Sequence, residues 1–458
     1  MATDVYFGIC PNVPADFKTG SPTITISGGV ATFSTAQTDD LMGIGAVIDY
    51  DVDNKITYIS GKNSTLEWTV INGDGTTPSN VTTVTVNSIS HPFTSLSTAN
   101  SGVSSLMGGT DLVSLNLQLN LVGYCRQDTY NSDYSNVYFS FKSDSTHRIK
   151  VYTPYNTSTQ CNFNHRVINH GIWDDTKYRI ISGATINEGP IIGIREDPLG
   201  LSVYLDIEAV QMYWVPSLNI NCHLIHIDGC PNSTVNVTKC IGRILAPTQS
   251  HIRRTFVYIR AQSGRAITDS VYNIYNNVVT MSTNAGAYYL TPFRFANPGL
   301  ANLNSYENTF INFYTPAISD NTPNDNIWDV RNNVFLYTSI GPNSYVGLGG
   351  LTWNNNIWRE TDTGKSGDIQ TSQTDAQLFT SATGNVWIWD FLPKEGSDLI
   401  DVGDRLADLT PDVSGDIDNS PGLRPWGVGW DVGALENQTP SDNLVLINRR
   451  RHTVSSGF

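Results

Sequence analysis

The chain reads as an all-β protein built from repeated coils of short strands, and three observations predict this. The first is a repeated phrase, a pair of asparagines followed by a β-branched or aromatic run. It appears as Tyr275-Asn276-Asn277-Val278-Val279, Arg331-Asn332-Asn333-Val334-Phe335 and Asn354-Asn355-Asn356-Ile357-Trp358, with a blurred copy at Glu307-Asn308-Thr309-Phe310. Taking Asn277, Asn308, Asn333 and Asn356 as equivalent gives steps of 31, 25 and 23 residues. Recurrence at such spacing marks a solenoid, in which each coil buries its apolar face against its neighbours. The second is composition: charged residues are only 15%, against ~25% in an ordinary globular chain. Polar surface must come from Asn, Ser and Thr, which favour turns and strand edges over helices. The third is that the strand-like runs are short and no helical segments alternate with them, which disfavours a doubly wound α/β fold.

The elements follow in order. Residues 1–84 form a small β region. Thr23-Ile24-Thr25-Ile26 alternates and Gly28-Gly29 turns it back into Val30-Ala31-Thr32-Phe33. Ile56–Ile59 and Leu66–Val70 are further strands, and Gly73–Pro78 is a loop. This region is open to two readings, a separate anchoring module or the foot of the main domain. Phe93, Leu96, Ala99, Val103 and Leu106 recur at steps of three and four, which predicts a short amphipathic helix ended by Gly108-Gly109. An open solenoid end exposes strand edges, so this helix is read as its plug. Next, Val113, Leu115, Leu117, Leu119 and Leu121 alternate with polar residues, the period of a half-buried strand. Strand-like runs continue at 137–141, 149–152, 178–181, 203–207, 224–227, 235–237 and 256–259, and then come the Asn-Asn coils. Asparagine repeated at one coil position has a physical use, because stacked side-chain amides hydrogen-bond along the axis. It also tolerates the left-handed backbone conformation.

At these residues the chain resembles the right-handed parallel β-helix, or pectate-lyase-like, superfamily. The Ile274–Val278 coil and its partners at 331–335 and 355–357 carry the resemblance. So does the end of the chain, where Asp390–Pro393, Gly396–Gly403 and Trp430–Glu436 are similar to the closing segment of such proteins. The resemblance implies a right-handed parallel β-helix over residues 85–436, including the plug, with 437–458 as a C-terminal tail or docking peptide. The superfamily holds polysaccharide lyases and hydrolases, bacteriophage tailspikes and other virion proteins, and fold does not select among them.

A net charge of −15 argues against general nucleic-acid binding, which needs clustered Lys and Arg. The six cysteines, at 10, 125, 161, 222, 230 and 240, match no CxxC zinc spacing and read mostly as free core thiols, in keeping with assembly in a reducing compartment. No run approaches the ~20 apolar residues of a membrane span, and Met1–Tyr6 shows no basic-then-apolar export pattern. A surface-type composition without such a signal is read as release by lysis within a particle. Six Asn-x-Ser/Thr sites are attributed to the abundance of those residues.

Candidate chemistry is sparse. Asp206 and Glu208 lie two apart on a strand and point to the same face, the geometry of an acid and base pair for glycoside cleavage or of a solvated strand face. Asp174-Asp175 and Glu196-Asp197 are loop pairs of lower promise. Pectin hydrolases of the superfamily carry a glycine-histidine-glycine motif with paired aspartates, from which Asn169-His170-Gly171 departs. Pectate lyases use carboxylate clusters for Ca²⁺ with an arginine base, and no such cluster stands out. Cys222, His226, Asp228 and Cys230 share a parity, but Gly229 breaks the strand before Cys230, so coil packing is preferred to a metal site. Trp353, Trp358, Trp387 and Trp389 suit either sugar rings or the closing of the β-core, the second being favoured. Arg449-Arg450-Arg451-His452 is the basic run of the tail, a docking peptide for a neighbour's carboxylates or a frayed end.

The expectation is a virion-associated structural or receptor-binding protein, of the phage spike, fibre or surface-decoration kind. It would present a rigid β-helix to host surface polysaccharide or to neighbouring subunits and other virion proteins. The resemblance implies a homotrimer; the further expectations are a place on the particle surface or tail, extracellular after release, and no cofactor, metal, nucleic acid or membrane insertion. The competing readings are a polysaccharide lyase or glycoside hydrolase, with Asp206 and Glu208 as catalytic candidates, and a bacterial surface adhesin.

Overall fold

The computed structural model describes residues 1–12, 14–126, 132–166, 171–182, 189–195, 202–215, 222–228, 230–245, 254–260, 269–282, 290–296, 301–313, 317–320, 327–337, 351–354, 356–359, 369–382, 390–400, 402–403 and 431–434. It is all-β, with three long parallel sheets. Sheet I orders Thr3–Ile9, Leu117–Gly123, Ile149–Tyr152, Tyr204–Glu208, Thr234–Thr238, Ser270–Tyr275, Ala301–Tyr306, Ile327–Arg331 and Leu351–Asn354. Sheet II runs from Arg179–Ser182 through Gln211–Trp214, Ile241–Ile244, Val278–Met281, Thr309–Phe313 and Val334–Tyr337 to Ile357–Arg359 and Ile369–Thr371. Sheet III stacks Val137–Phe139, Gly189–Arg195, Cys222–Asp228, Arg254–Arg260, Leu290–Ala296 and Ala317–Asp320. From Tyr204 to Asp320 the chain visits sheets I, II and III in rotation, an arrangement compatible with a parallel β-helix. Inward residues of one coil sit on those of the next, as Ile149, Leu205, Val235, Tyr272, Leu303 and Trp328 do. All are buried in one core cluster.

The repeated asparagine pair is the corner between sheets I and II. Its first residue takes the left-handed conformation at Asn276 (φ 56°) and Asn332 (φ 56°), and Ala209, Lys239 and Glu307 do the same at the equivalent corners. That conformation costs a non-glycine residue ~1–2 kcal/mol, least for Asn, so the corner geometry itself imposes it on Ala, Lys and Glu. The second residue points inward and builds the ladder expected from the sequence. Asn277 Nδ2 donates to Asn308 Oδ1 at 2.8 Å, Asn308 Nδ2 to Asn333 Oδ1 at 2.9 Å, and Asn333 Nδ2 to Asn356 Oδ1 at 3.0 Å. Each Oδ1 also accepts the backbone N–H of the preceding corner, and Nδ2 donates to a carbonyl of the preceding coil, Ile274 for Asn308 and Ser305 for Asn333. All four asparagines are fully buried, so the satisfied amides replace water.

The helix expected from the spacing of Phe93 to Leu106 spans Leu96–Met107, capped by Ser95 and closed by Gly108 in the left-handed conformation. Leu96, Ala99, Val103 and Met107 are its buried face, whereas Phe93 and Leu106 pack at the margin. Buried Asp133 ties the helix to the coils, accepting from Leu96 N at 2.6 Å and the Tyr178 hydroxyl at 2.6 Å. The strand expected from Val113 begins instead at Leu117. Asp111 caps a short helix, Leu112–Leu115, through Ser114 N at 3.0 Å, and Asn116 (φ 55°) turns the chain out of it.

The first β region divides in two. Thr3–Ile9 joins sheet I beside Leu117–Gly123. Six antiparallel strands, from Thr23–Ser27 to Val81–Ser90, close into a barrel, and Gly28 and Gly29 turn its first hairpin with φ of 58° and 80°. The barrel core continues onto the outer side of sheet I through Val122 and Tyr124, with Tyr6 and Tyr152 at its margin. The described closing segments at 369–434 lie along sheet II, where Leu378, Phe391, Leu399, Val432 and Ala434 cover Ile241, Val278, Val334 and Ile357. The basic tail, Trp387 and Trp389 lie outside the described residues, as do the side chains of Trp353 and Trp358.

Replacing Asn308 with Leu removes the acceptor of the Asn277 backbone N–H and the side-chain donor to the Ile274 carbonyl, and each buried orphan costs about 1–3 kcal/mol. Urea unfolding is expected to show a loss of about 3 kcal/mol or more, against less than about 1 kcal/mol for Asn304→Ala on the half-buried outer row.

Candidate functional site

Each sheet has an outer side, and the three differ in cover. The closing segments cover sheet II. On sheet III the outward residues Thr255, His226, Tyr258 and Arg294 are themselves buried, whereas Arg195 and Arg260 reach the surface. Sheet I beyond the barrel keeps an outer row in which Lys150, Asp206, Asn236, Asn273, Asn304 and Asp329 are register partners, Asn273 buried and the others half-buried. The parallel register gives this row its own ladder. Asn236 Nδ2 donates to Asp206 Oδ1 at 2.6 Å, Asn273 Nδ2 to Asn236 Oδ1 at 2.8 Å, and Asn304 Nδ2 to Asn273 Oδ1 at 2.8 Å. Beside it runs a second row of Tyr152, Glu208, Thr238, Tyr275, Tyr306 and Arg331.

Asp206 and Glu208 point outward together, while Val203, Leu205 and Ile207 are buried. The two carboxylates line a concavity of about 200 Å³ with Lys150, Tyr152, Asn236, Thr238 and Tyr275. It begins where the barrel stops, with Tyr152 shared between concavity and barrel core. Arg148 grips Asp206 with two nitrogens, Nε to Oδ2 at 2.7 Å and Nη2 to Oδ1. Glu208 Oε1 accepts from Arg166 Nη2 at 2.8 Å, and the guanidinium of Arg166, 1% exposed, stacks on Tyr155 at 3.9 Å. Lys150 Nζ has no hydrogen-bond partner among the described residues. Burial, with Tyr6, Asp4 and Glu208 near, holds the Tyr152 phenol well above its ordinary value, so it stays a neutral donor. The surface therefore offers amides, hydroxyls and tyrosine rings, with each carboxylate matched to a guanidinium. Such groups hydrogen-bond and stack against a polar, flat-faced ligand.

The other sequence candidates have structural partners. His226 Nδ1 lies 2.9 Å from the Tyr138 hydroxyl, and burial pushes its imidazole down to about 4. The Tyr138 ring reaches it across Gly193, where a Cβ would meet Tyr138 at 2.8 Å. Asp228, buried, pairs with Arg260 at 2.9 Å and Arg195 at 3.7 Å. Cys230 belongs to the core, and the Cys222 side chain lies outside the described residues. Cys10, Cys125, Cys161, Cys230 and Cys240 are buried free thiols. Asp174 caps its own turn at Thr176 N, and Asp175 pairs with Arg179 at 3.1 Å. Glu196-Asp197 and Asn169-His170 lie outside the described residues. Among the described residues no group of three or more His, Cys, Asp or Glu side chains is placed to hold a metal ion, and no helix is long and apolar enough to cross a membrane.

Sequence reasoning found Asp206 and Glu208 but missed Lys150, Arg148, Arg166 and Tyr275 around them. Lys150, Asn236 and Tyr275 carried a usable signal, the outward parity of their strands, once the coils are aligned. Arg166 comes from the long excursion between Tyr152 and Arg179, which has no periodicity to read. Comparison with protein-family models finds no match for this chain, and comparison with curated proteins finds none.

Glu208→Ala leaves the buried Arg166 guanidinium without its carboxylate. Glu208 is 41% exposed, so water reaches part of the vacated space and the loss is expected to be about 1–2 kcal/mol, whereas Lys150→Ala is expected to stay within about 0.5 kcal/mol. Chemical denaturation of the two variants checks this ordering.

Proposed function

We propose that the chain is a virion-associated structural or receptor-binding protein, of the phage spike, fibre or surface-decoration kind. On this reading the three parallel sheets are the faces of a right-handed parallel β-helix, and sheet I faces a host surface glycan or a neighbouring subunit. One observation supports it most. Of the three outer faces, sheet II lies under the closing segments and sheet III presents histidine, tyrosine and arginine side chains packed on one another, while sheet I keeps laddered amides and tyrosines in a continuous polar surface. A repeating ligand meets the same groups at each coil, and a rigid stack loses little entropy on contact. A homotrimer is the assembly the resemblance suggests.

The second reading, a polysaccharide lyase or glycoside hydrolase, has its own support. Asp206 and Glu208 share one concavity with a lysine and two tyrosines. The guanidinium partners of both carboxylates weigh against it, since glycoside cleavage requires one of the two to deliver a proton.

Quantitative recovery of the chain at fixed stoichiometry in purified particles is the expected result, with glycan chain length unchanged on incubation. Absence from particles contradicts the virion role. Depolymerisation by the wild type that is lost in both Asp206→Asn and Glu208→Gln establishes the enzyme instead.

A further inference from the structure

The barrel meets the coils along a seam that holds two buried histidines. His91 follows the last barrel strand and His165 lies in the excursion after Tyr152; both are buried, at 4% and 1% exposure. The Tyr124 ring sits between them, stacked on His91 with centroids 4.1 Å apart and edge-on to His165 at 4.7 Å. Each imidazole points Nε2 at a carbonyl of one short barrel segment. His91 lies 3.1 Å from Leu41 O and His165 2.9 Å from Asp40 O. A carbonyl only accepts, so Nε2 carries the proton in both rings and Nδ1 of the neutral ring is bare. Nδ1 of His91 faces the backbone of Gly8, where a Cβ would stand 2.0 Å away, and has no partner among the described residues.

The same segment carries the attachment of barrel to coils. Gly8 N donates to Gly45 O at 2.8 Å, Ile44 N to Gln160 O at 2.9 Å, Asn162 N to Met42 O at 2.9 Å, and the Tyr124 hydroxyl to Ile44 O at 2.7 Å. The charges and titratable groups around the two rings offer no counter-ion. Asp39 spends its carboxylate on Leu41 N, and Asp40 contributes its carbonyl. Lys177, anchored on Asn164 O, and Arg166 and Lys62 bring positive charge from the excursion and the barrel. The Cys10, Cys125 and Cys161 thiols are buried, and burial holds Cys161 up at about 12.

We propose that His91 and His165 form an acid-released latch, in which protonation of the rings parts the barrel from the first coils while the later coils stay folded. The direction follows from linkage. Burial lowers His91 to about 3, with His165 adding to the fall, and burial lowers His165 to about 4. Both lie below their ordinary 6.5, so the opened seam takes up protons that the closed seam refuses. Closure is intact above about pH 6.5 and weakens as pH falls through 6.5 toward 4, where each unit multiplies the open fraction up to about tenfold per histidine. His226 in the coils is lowered to about 4 by burial and by Arg260, Arg195 and Arg294, against Asp228, so the order of opening is set by the seam placing two such rings, His91 and His165, on the one segment 40–41.

Hydrogen exchange on the full chain at pH 7 and pH 4.5, corrected for intrinsic rates, tests this. Amides at 41–46, 122–125 and 160–165 are expected to lose protection in acid while those of the strands Tyr204–Glu208, Gln211–Trp214, Thr234–Thr238, Ile241–Ile244, Ser270–Tyr275 and Val278–Met281 keep theirs. His91→Gln and His165→Gln are each expected to move the opening midpoint to lower pH, whereas His147→Gln, at the half-exposed Asp144 pair, leaves it in place. Unchanged midpoints in both seam variants, or simultaneous opening of the coils, overturn the proposal. Where a variant fails to fold, NMR titration of the wild-type imidazoles decides. Either seam histidine titrating near 6.5 with the seam still protected overturns the proposal, and silence until opening supports it.

Discussion

The buried asparagine at the corner between sheets I and II is the constraint on which the rest of the structure depends. A chain that turns a corner of a coil leaves backbone groups inside the core that no strand partner satisfies. Asn277, Asn308, Asn333 and Asn356 take up those groups and each other in one continuous chain of bonds. The bonds are worth making only when successive corners lie directly above one another. Corner alignment therefore fixes the strand register, and a parallel register repeats every outward side chain at the same height in the next coil. At Asn273 and Asn304 the outer ladder shares its coils with the inner one, whereas at Asp206 and Asn236, whose corners are Ala209-Val210 and Lys239-Cys240, the parallel register alone aligns the row.

Around this stack the remaining segments act as covers. The helix Leu96–Met107 closes the first coils, the barrel sits on the outer side of the first strands of sheet I, and the closing segments lie on sheet II. Sheet I beyond Tyr152 carries none of these covers among the described residues, so its rows of amides and tyrosines stay at the surface. The concavity at Asp206 and Glu208 sits at the foot of the barrel, where Tyr152 belongs to both. Any movement of the barrel along its seam would be felt there first.

Much of this was legible in the residues, for physical reasons that differ by element. The Asn-Asn corners were visible because Asn serves both the left-handed turn and the buried amide chain. The corners Ala209-Val210 and Lys239-Cys240 were missed because their first residues adopt the same conformation without signalling it, and their second residues are simply apolar or thiol-bearing. Alternation from Val113 suggested a strand, but a local cap at Asp111 outweighed period two for four residues. Asp206 and Glu208 were legible from parity. Their guanidinium partners were not, since Arg148 and Arg166 approach from outside the repeat. The closed barrel and the seam histidines depend on contacts between segments more than 70 residues apart, such as Tyr124 with Ile44, which no local pattern encodes.

Side-chain amide exchange by NMR tests the central claim most directly. If the corner amides hold the stack, the Nδ2 protons of Asn277, Asn308 and Asn333 exchange only when the coils open, as slowly as the backbone amides of Val237 and Ile274 beside them. Exchange as fast as that of the outer Asn304 would show that the corner amides are not bonded along the axis, and the account of register and of the ladder on sheet I would fail.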